Sequence, residues 1–191
     1  MAGRRADAIT RNYRLRLRAV RAETMRQLAL AYGRVAAAEI EATYAAFVPL
    51  GARTISAGQG ASQTLTRAYI RGVSGEDPAP VAPLAGTSKA GTITDALSGL
   101  SLFILGAIAK GATADEAVSV TGAYFVDRMA DNEMTRVVDR EIEGQKGRAT
   151  GWIGITSAPT DACAGNAGFH TFDEEIYRHP GCNCERELVF G

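Results

Sequence analysis

Apolar side chains recur at intervals of three and four residues over most of the first 147 positions, which is the spacing of amphipathic helices. The longest run lies between residues 7 and 47, where proline is absent and Gly33 is the only glycine. We therefore predict a long N-terminal helix that ends at Pro49 and Gly51. Its apolar positions are Leu15, Ala19, Ala22, Met25, Leu28, Ala29, Tyr32, Val35 and Ala36.

A second helix and a long loop are predicted to follow. Residues 52–73 carry a weaker helical pattern. Residues 74–91 contain three prolines together with several glycines and serines, a composition that regular elements do not tolerate. This segment is therefore predicted to be a linker or an extended loop.

Two further helices complete the predicted helical body. A third helix is expected over residues 92–110, with Gly111 as its stop. Thr113 is positioned to cap a fourth helix over residues 114–146, whose first turn is acidic. Residues 1–147 are therefore predicted to be helical throughout, apart from the loops.

The third predicted helix contains the most apolar stretch of the chain, residues 96–109. This uncharged stretch is shorter than the roughly twenty residues that a bilayer span requires, and it includes glycine and serine. We predict a buried core helix or a contact between subunits, and no membrane association. Its large apolar side chains cover more than one helical face and are expected to be buried in the body or against another subunit: Leu97, Leu100, Phe103, Ile104, Leu105 and Ile108.

The character of the sequence changes after Gly147. Residues 152–155 are short and apolar enough for a strand. The last forty residues hold all three cysteines, both histidines and the only tryptophan. We predict a mainly α fold, in which a helical body with a long N-terminal helix carries a small C-terminal Cys/His module, residues 148–191, with little β structure.

Thiolate and imidazole groups at short spacing in this module could close a tetrahedral zinc site. The predicted ligands are Cys163, His179, Cys182 and Cys184. So small a module has little core of its own, and a metal would stabilise it. The alternatives are reduced buried thiols, or one disulfide with a third cysteine left over.

The tail also carries an ordered set of short motifs. Gly151-Trp152 is followed by Asp161-Ala162-Cys163, then by His179-x-x-Cys182-x-Cys184, and then by Leu188-Val189-Phe190. This order resembles the C-terminal module of MuF-like phage minor head (head morphogenesis) proteins, particularly those of actinobacteriophages. In that family the usual pattern is G-W, P-C-x-x-C, H-x-x-C-x-C and a short apolar segment. Roughly sixty residues carry the likeness, including 12–15 and 133–146.

This chain departs from the family pattern at one ligand position. The second cysteine of the C-x-x-C motif is Asn166 here, which leaves four Cys/His residues instead of five. Four ligands still suffice for zinc, although the loss equally suits a site held by packing alone. His170 lies outside the pattern and is expected at the surface.

The resemblance implies a structural role inside the phage head. It implies a low-copy virion protein that is made in the bacterial cytoplasm, lies in the capsid interior at the portal vertex, and acts in head assembly or genome delivery. The implied partner is the portal protein, with multiple copies of this chain around it. The major capsid protein or a scaffold protein is a further candidate partner.

Known catalytic motifs do not fit the sequence, and we predict that the protein is not an enzyme. A zinc deaminase requires H-x-E followed by P-C-x-x-C, and neither histidine provides it. Cys163 could be paired with His170 or His179 as in a cysteine hydrolase, but no activating context is visible. The Walker loop, G-x-S-x-G and H-E-x-x-H are absent.

Basic residues cluster near the N-terminus, although the formal net charge of the chain is zero. Residues 1–26 hold eight arginines against Asp7 and Glu23. Arginine suits bidentate contacts with carboxylate or phosphate. The predicted partner-binding set, directed at an acidic face of the portal, is Arg11, Arg14, Arg16, Arg18 and Arg21.

Three alternatives remain open for these arginines. They could form a solvated helix face, or they could pair with the acidic fourth helix, whose carboxylates are Asp127, Asp131, Glu133, Asp139, Glu141 and Glu143. The alternative function is a basic helical module that binds packaged DNA inside the head. Such binding would be non-specific, because aromatic residues are scarce among the arginines.

Overall fold

The computed structural model describes residues 2–81, 92–156, 164–174 and 184–190. The fold is mainly α, as predicted, with a small antiparallel sheet. The helices are α1 (Ala2–Tyr32), α2 (Ile40–Ser74), α3 (Ile93–Ala109), α4 (Ala114–Glu116) and α5 (Ala123–Glu143). A 3-10 turn spans Ala37–Glu39, and π-helical residues Ala117–Gly122 join α4 to α5. The strands are β1 (Gly151–Ile155), β2 (Gly168–His170) and β3 (Glu185–Val189).

The starts of α3 and α4 are each fixed by a capping box, and the cap at Thr113 is the one that the sequence predicts. Thr92 accepts the backbone N–H of Asp95 at 3.1 Å, and the Asp95 carboxylate accepts the Thr92 N–H at 2.8 Å. Thr113 and Glu116 form the same reciprocal capping box. Gly111 follows the end of α3 with a φ of 100°, a conformation that favours glycine, so its predicted role as a helix stop is confirmed.

The predicted single helix over residues 7–47 is wrong, because α1 ends at Tyr32. Gly33 weakens the helix at this point, and the turn that follows buries Val35 in the core. The second error is at Pro49, which lies inside α2 instead of ending a helix. A proline in a helix interior removes one backbone hydrogen bond. Burial of the neighbouring Phe47 and Val48 offsets that loss.

Gly51, which was predicted to end the first helix, lies within α2 at a close contact. A Cβ at this position would come within 2.8 Å of the Phe47 ring and 3.1 Å of the Leu97 side chain. Glycine is therefore required here by packing and not by a turn.

The chain forms two compact units, each with its own core. One unit contains Arg18–Ala61 and Pro83–Arg136. Its core includes Leu28, Tyr32, Tyr44, Phe47, Ile55, Leu97, Ile104 and Val126. Tyr44 donates to the carbonyl of Leu97 at 2.8 Å, and Tyr32 donates to the carbonyl of Val118 in the π-helical segment at 2.9 Å.

The other unit contains Met1–Leu17, Ser62–Ala82 and Val137–Gly191. The predicted tail module therefore shares a compact unit with segments of α1, α2 and α5. The core of this unit includes Tyr13, Leu17, Tyr69, Ile70, Val138, Ile142 and Leu188. The rings of Tyr13 and Tyr69 stack at 4.4 Å, and the Tyr69 hydroxyl accepts the backbone N–H of Leu188 at 3.0 Å.

The predicted strand near Trp152 is confirmed as β1, the central strand of the sheet. The strand order is β2-β1-β3, and both pairings are antiparallel. Trp152 lies opposite His170 on β2 and opposite Leu188 on β3. Gly154 lies opposite Arg186. These registers place Trp152, His170, Arg186 and Leu188 on one face of the sheet, since side chains alternate between faces along a strand.

Candidate functional site

The side chain of Trp152 is fully buried and lies between two polar groups. The imidazole ring of His170 stacks on it, with ring centroids 4.2 Å apart and planes 17° apart. The guanidinium carbon of Arg186 lies 4.4 Å from the centroid of the indole ring. Because β2 and β3 flank β1 on opposite sides, the three side chains form a layered His–Trp–Arg stack.

Arg186 is buried, and its charge is compensated by carboxylates of α5. Its guanidinium donates a short hydrogen bond to Glu143 and lies 3.7 Å from the Asp139 carboxylate. Arginine tolerates such a position better than lysine, since its planar cation is weakly hydrated and stacks on aromatic rings. Part of the predicted acidic helix therefore pairs with the tail of the same unit.

His170 was expected at the surface, and this prediction is wrong. Its ring is only partly exposed, because it covers Trp152. The Nδ1 atom lies 3.0 Å from the Glu174 carboxylate. The backbone N–H of Thr171 and then His170 lower the pKa of Glu174 below its ordinary value. The charge of this carboxylate thus helps to hold the imidazole ring in the stack.

Only Cys184 of the four predicted zinc ligands lies within the described ranges. Its side chain is buried, and its Sγ accepts a hydrogen bond from the Asn166 amide at 3.7 Å. A hydrogen bond to sulfur suits a thiolate, and such outer contacts support metal-bound cysteines. Asn166 therefore holds a packing position next to Cys184, which is one of the predicted ligands.

Cys163, His179 and Cys182 lie outside the described residues. Within the described ranges, no cluster of three or more His, Cys, Asp or Glu side chains is arranged to hold a metal ion. The zinc site stays a prediction.

The five predicted partner-binding arginines do not form one exposed set. Arg14 binds Glu187 at 2.8 Å and approaches Glu185 at 4.0 Å. Burial raises the pKa of Glu187, and the charge of Arg14 opposes that shift.

The other four arginines divide in the same way. Arg21 donates to the Thr135 hydroxyl at 3.0 Å and lies 3.9 Å from the Asp131 carboxylate. Arg11, Arg16 and Arg18 are exposed. The predicted pairing with the acidic fourth helix therefore applies at Arg21, whereas Arg14 pairs with β3 of the tail instead.

The apolar helix α3 is buried on one side only. Leu97 and Ile104 are fully buried and Leu100 and Ile108 partly so, as predicted. Phe103 and Leu105 remain exposed, and Leu102 is the most exposed large apolar side chain of α3, at 69%. The Phe103 ring lies 4.3 Å from that of Phe125, which extends the apolar surface toward α5. Among the described residues, no helix is both long and apolar enough to cross a bilayer.

Sequence reasoning missed the His–Trp–Arg stack, although it singled out Trp152 and the cysteines. The one usable signal was the buried-strand pattern at Trp152. Stacking on an aromatic ring lowers the free-energy cost of burying a charged side chain, so a buried tryptophan on a strand points to a cation on a neighbouring strand.

The comparisons with known proteins add no identification. No protein-family model matches the chain, and no curated protein or solved structure matches it significantly.

Proposed function

We propose that this chain is a structural minor head protein of a phage, associated with the portal vertex and acting in head assembly or genome delivery. The observation that carries the proposal is the role of the motif residues in the tail. Trp152, Cys184 and Leu188, which belong to the motifs resembling MuF-like proteins, are all buried in the tail. Within the described ranges, these three motif positions therefore support the proposal as residues that build the module.

The chemistry of the stack also favours a structural role. Arg186 is engaged by Glu143 and Asp139, and His170 is held by Glu174. Polar groups that are paired in this way stabilise one arrangement of the strands. The proposal assigns these side chains to packing and assigns the module no reaction.

A structural head protein needs an exposed docking surface, and we assign one to the N-terminal part of α1. Tyr13 and Leu17 bury one side of the helix here. The opposite side carries the exposed Arg11 together with Leu15, which is 62% exposed. An exposed leucine beside an arginine suits a partner surface that offers an apolar recess with carboxylates at its rim. We propose that the portal protein presents that surface.

The ion pairs that the arginines form within the chain lower the support for the DNA-binding alternative. Two of the five arginines, Arg14 and Arg21, are already paired with carboxylates of the chain. Non-specific DNA affinity depends on the number of phosphates that free cations neutralise. Three of the five, Arg11, Arg16 and Arg18, are exposed.

The test is co-purification with the portal protein encoded in the same gene cluster. Leu15→Asp should lower the amount that co-purifies at least about tenfold, because a buried leucine contributes about 1.5–3 kcal/mol. Leu30→Asp is the matched control, since Leu30 is also on α1 and also 62% exposed. It should bind as the unmodified protein does.

Salt separates the proposal from the alternative. Association through Leu15 should persist when the salt concentration is raised from about 0.1 M to 0.5 M, whereas phosphate-based binding to DNA falls steeply. If Leu15→Asp bound the portal normally, or if all association vanished at high salt together with bound DNA, the proposed docking would be wrong.

A further inference from the structure

The residues on the exposed side of α3 are spaced symmetrically about the middle of the helix. Six positions lie on this side of the helix, with a spacing of four, three, one, three and four residues: Asp95, Gly99, Leu102, Phe103, Gly106 and Lys110. At 3.6 residues per turn they fall within an arc of roughly 100°. All are exposed except Gly106, which is partly so.

We propose that this face binds the same face of a second copy of the chain. The two α3 helices would run antiparallel, with a two-fold axis passing between Leu102 and Phe103. An interface of this kind requires a patch that is complementary to itself, so that residue i contacts residue j and j contacts i. The symmetric spacing about positions 102 and 103 provides that property.

The glycines of this face allow two helices to approach closely. Nothing lies within 4 Å of where a Cβ would stand at Gly99 or Gly106. Their lack of a side chain is therefore not explained by packing inside the chain. In the antiparallel pair, Gly99 of one copy faces Gly106 of the other, and small residues at such positions let helix backbones come together.

The two charges of the face are complementary in the same register. Asp95 lies at the start of α3, and Lys110 follows its end. The antiparallel arrangement brings Asp95 of each copy opposite Lys110 of the other, so two ion pairs flank the apolar centre. It also places the negative end of one helix dipole near the positive end of the other. A partner of uniform charge would not match this pattern.

The apolar centre of this face is small, as expected of a weak pair. Leu102 is 69% exposed and Phe103 is 50% exposed. At about 200 Å² for a fully exposed large apolar side chain, they amount to roughly 240 Å² per copy. Together with the glycine backbone and the two ion pairs, this suits a small interface, so we expect a weak dimer with a dissociation constant of about 1–100 µM.

The first test is the mass of the protein in solution, measured by sedimentation at several concentrations. At about 200 µM the chain should approach about 40 kDa, twice its mass of 20.1 kDa. Gly106→Leu should keep the protein monomeric at the same concentration without lowering its melting temperature, because the position is open within the chain. Gly60→Leu on α2 is the matched control, since its Cβ position is equally open, and it should dimerise normally.

The second test uses the charges. Asp95→Lys and Lys110→Glu should each weaken self-association about tenfold, since each puts two like-charge pairs into the interface. Mixing the two variants should restore binding as a heterodimer, because both pairs are then opposite in charge. Restoration on mixing separates the interface effect from the loss of the Asp95 helix cap.

Several outcomes would overturn the proposal. These are a monomer at 200 µM, a Gly106→Leu variant that still dimerises, or no heterodimer on mixing. A monomer that bound the portal protein through Phe103 would assign this face to the portal instead. The proposal does not depend on the docking of α1, since Leu15 and α3 are tested by different variants.

Discussion

At the scale of single residues, Arg186 shows how a charged residue can be part of a core when it stacks on a tryptophan ring. Arg186 is buried against the indole ring, and its charge is met by Glu143 and Asp139 at the edge of α5. Arg186→Ala should lower the free energy of unfolding by about 2–3 kcal/mol, because it removes the stacking and the paired charge together. Chemical denaturation, followed by tryptophan fluorescence, measures this directly, since Trp152 is the only tryptophan.

The matched control for that variant is Arg71→Ala. Arg71 pairs with Asp77, and both side chains are largely exposed. Its removal should change the stability by less than about 0.5 kcal/mol. Equal effects of the two substitutions would contradict a central role for the Arg186 stack.

A second residue-scale prediction concerns the pH dependence of the Glu23 charge. Hydrogen bonds from Arg26, and then from Gln27, lower the pKa of Glu23 from 4.5 to about 2. A lowered folded-state pKa stabilises the fold above about pH 4.5, and this contribution is lost as the pH falls toward 2. Arg26→Ala should move the pKa of Glu23 back toward 4.5 in an NMR titration, while Arg34→Ala should leave it unchanged. A Glu23 pKa near 4.5 in the unmodified protein would show that Glu23 and Arg26 do not pair.

The sequence indicated which residues of the tail matter, but not which side chains contact each other. The sequence singled out Trp152 and Cys184, yet it could not show that His170 and Arg186 cover the indole ring. Those contacts depend on the register of β1 with two strands that come later in the chain. Register depends on the hydrophobic patterns of all the paired strands and on the connections between them, so the pattern of β1 alone does not give it.

At the scale of elements, local signals succeeded where the chemistry is local. The cap at Thr113 and the stop at Gly111 involve residues within four positions of each other, and both were predicted. The break after α1 and the helical Pro49 were not, because burial of Val35, Phe47 and Val48 decides them. Tertiary contacts overrode the usual effect of proline.

Gly51 offers an element-scale test of this explanation. Gly51→Ala would press a methyl group against Phe47 and Leu97, so it should destabilise the protein by about 1–3 kcal/mol despite the better helix propensity of alanine. Gly60→Ala in the same helix meets no atom within 4 Å and should stabilise by up to about 1 kcal/mol. Opposite signs in thermal unfolding are expected. Stabilisation by both substitutions would show that Gly51 is not a packing position.

The predicted zinc site is also tested at this scale, because its ligands come from the whole tail. If Cys163, His179, Cys182 and Cys184 bind zinc, protein purified under reducing conditions should carry about one equivalent. Cys182→Ser should lose the metal and make the tail sensitive to protease, whereas His170→Gln should retain the metal. A folded tail without zinc in elemental analysis would assign the site to packing alone.

At the scale of the whole molecule, the chain is built of two compact units, and the tail belongs to one of them together with helical segments. Composition correctly indicated a mainly α fold with a small β element near the C-terminus. It could not indicate which helical segments join the tail, because contacts such as Tyr69 with Leu188 connect positions far apart in sequence. Each proposed surface lies within a single unit: Leu15 with Arg11 in one, and the α3 face in the other.

The central claim is that this chain is a portal-associated head protein, and the composition of purified particles tests it most directly. Quantitative mass spectrometry of phage heads should find the chain at a fixed low ratio to the portal protein. Heads assembled without the portal should lack it. A chain that is absent from purified heads, or present in the same amount when the portal is missing, would contradict the account.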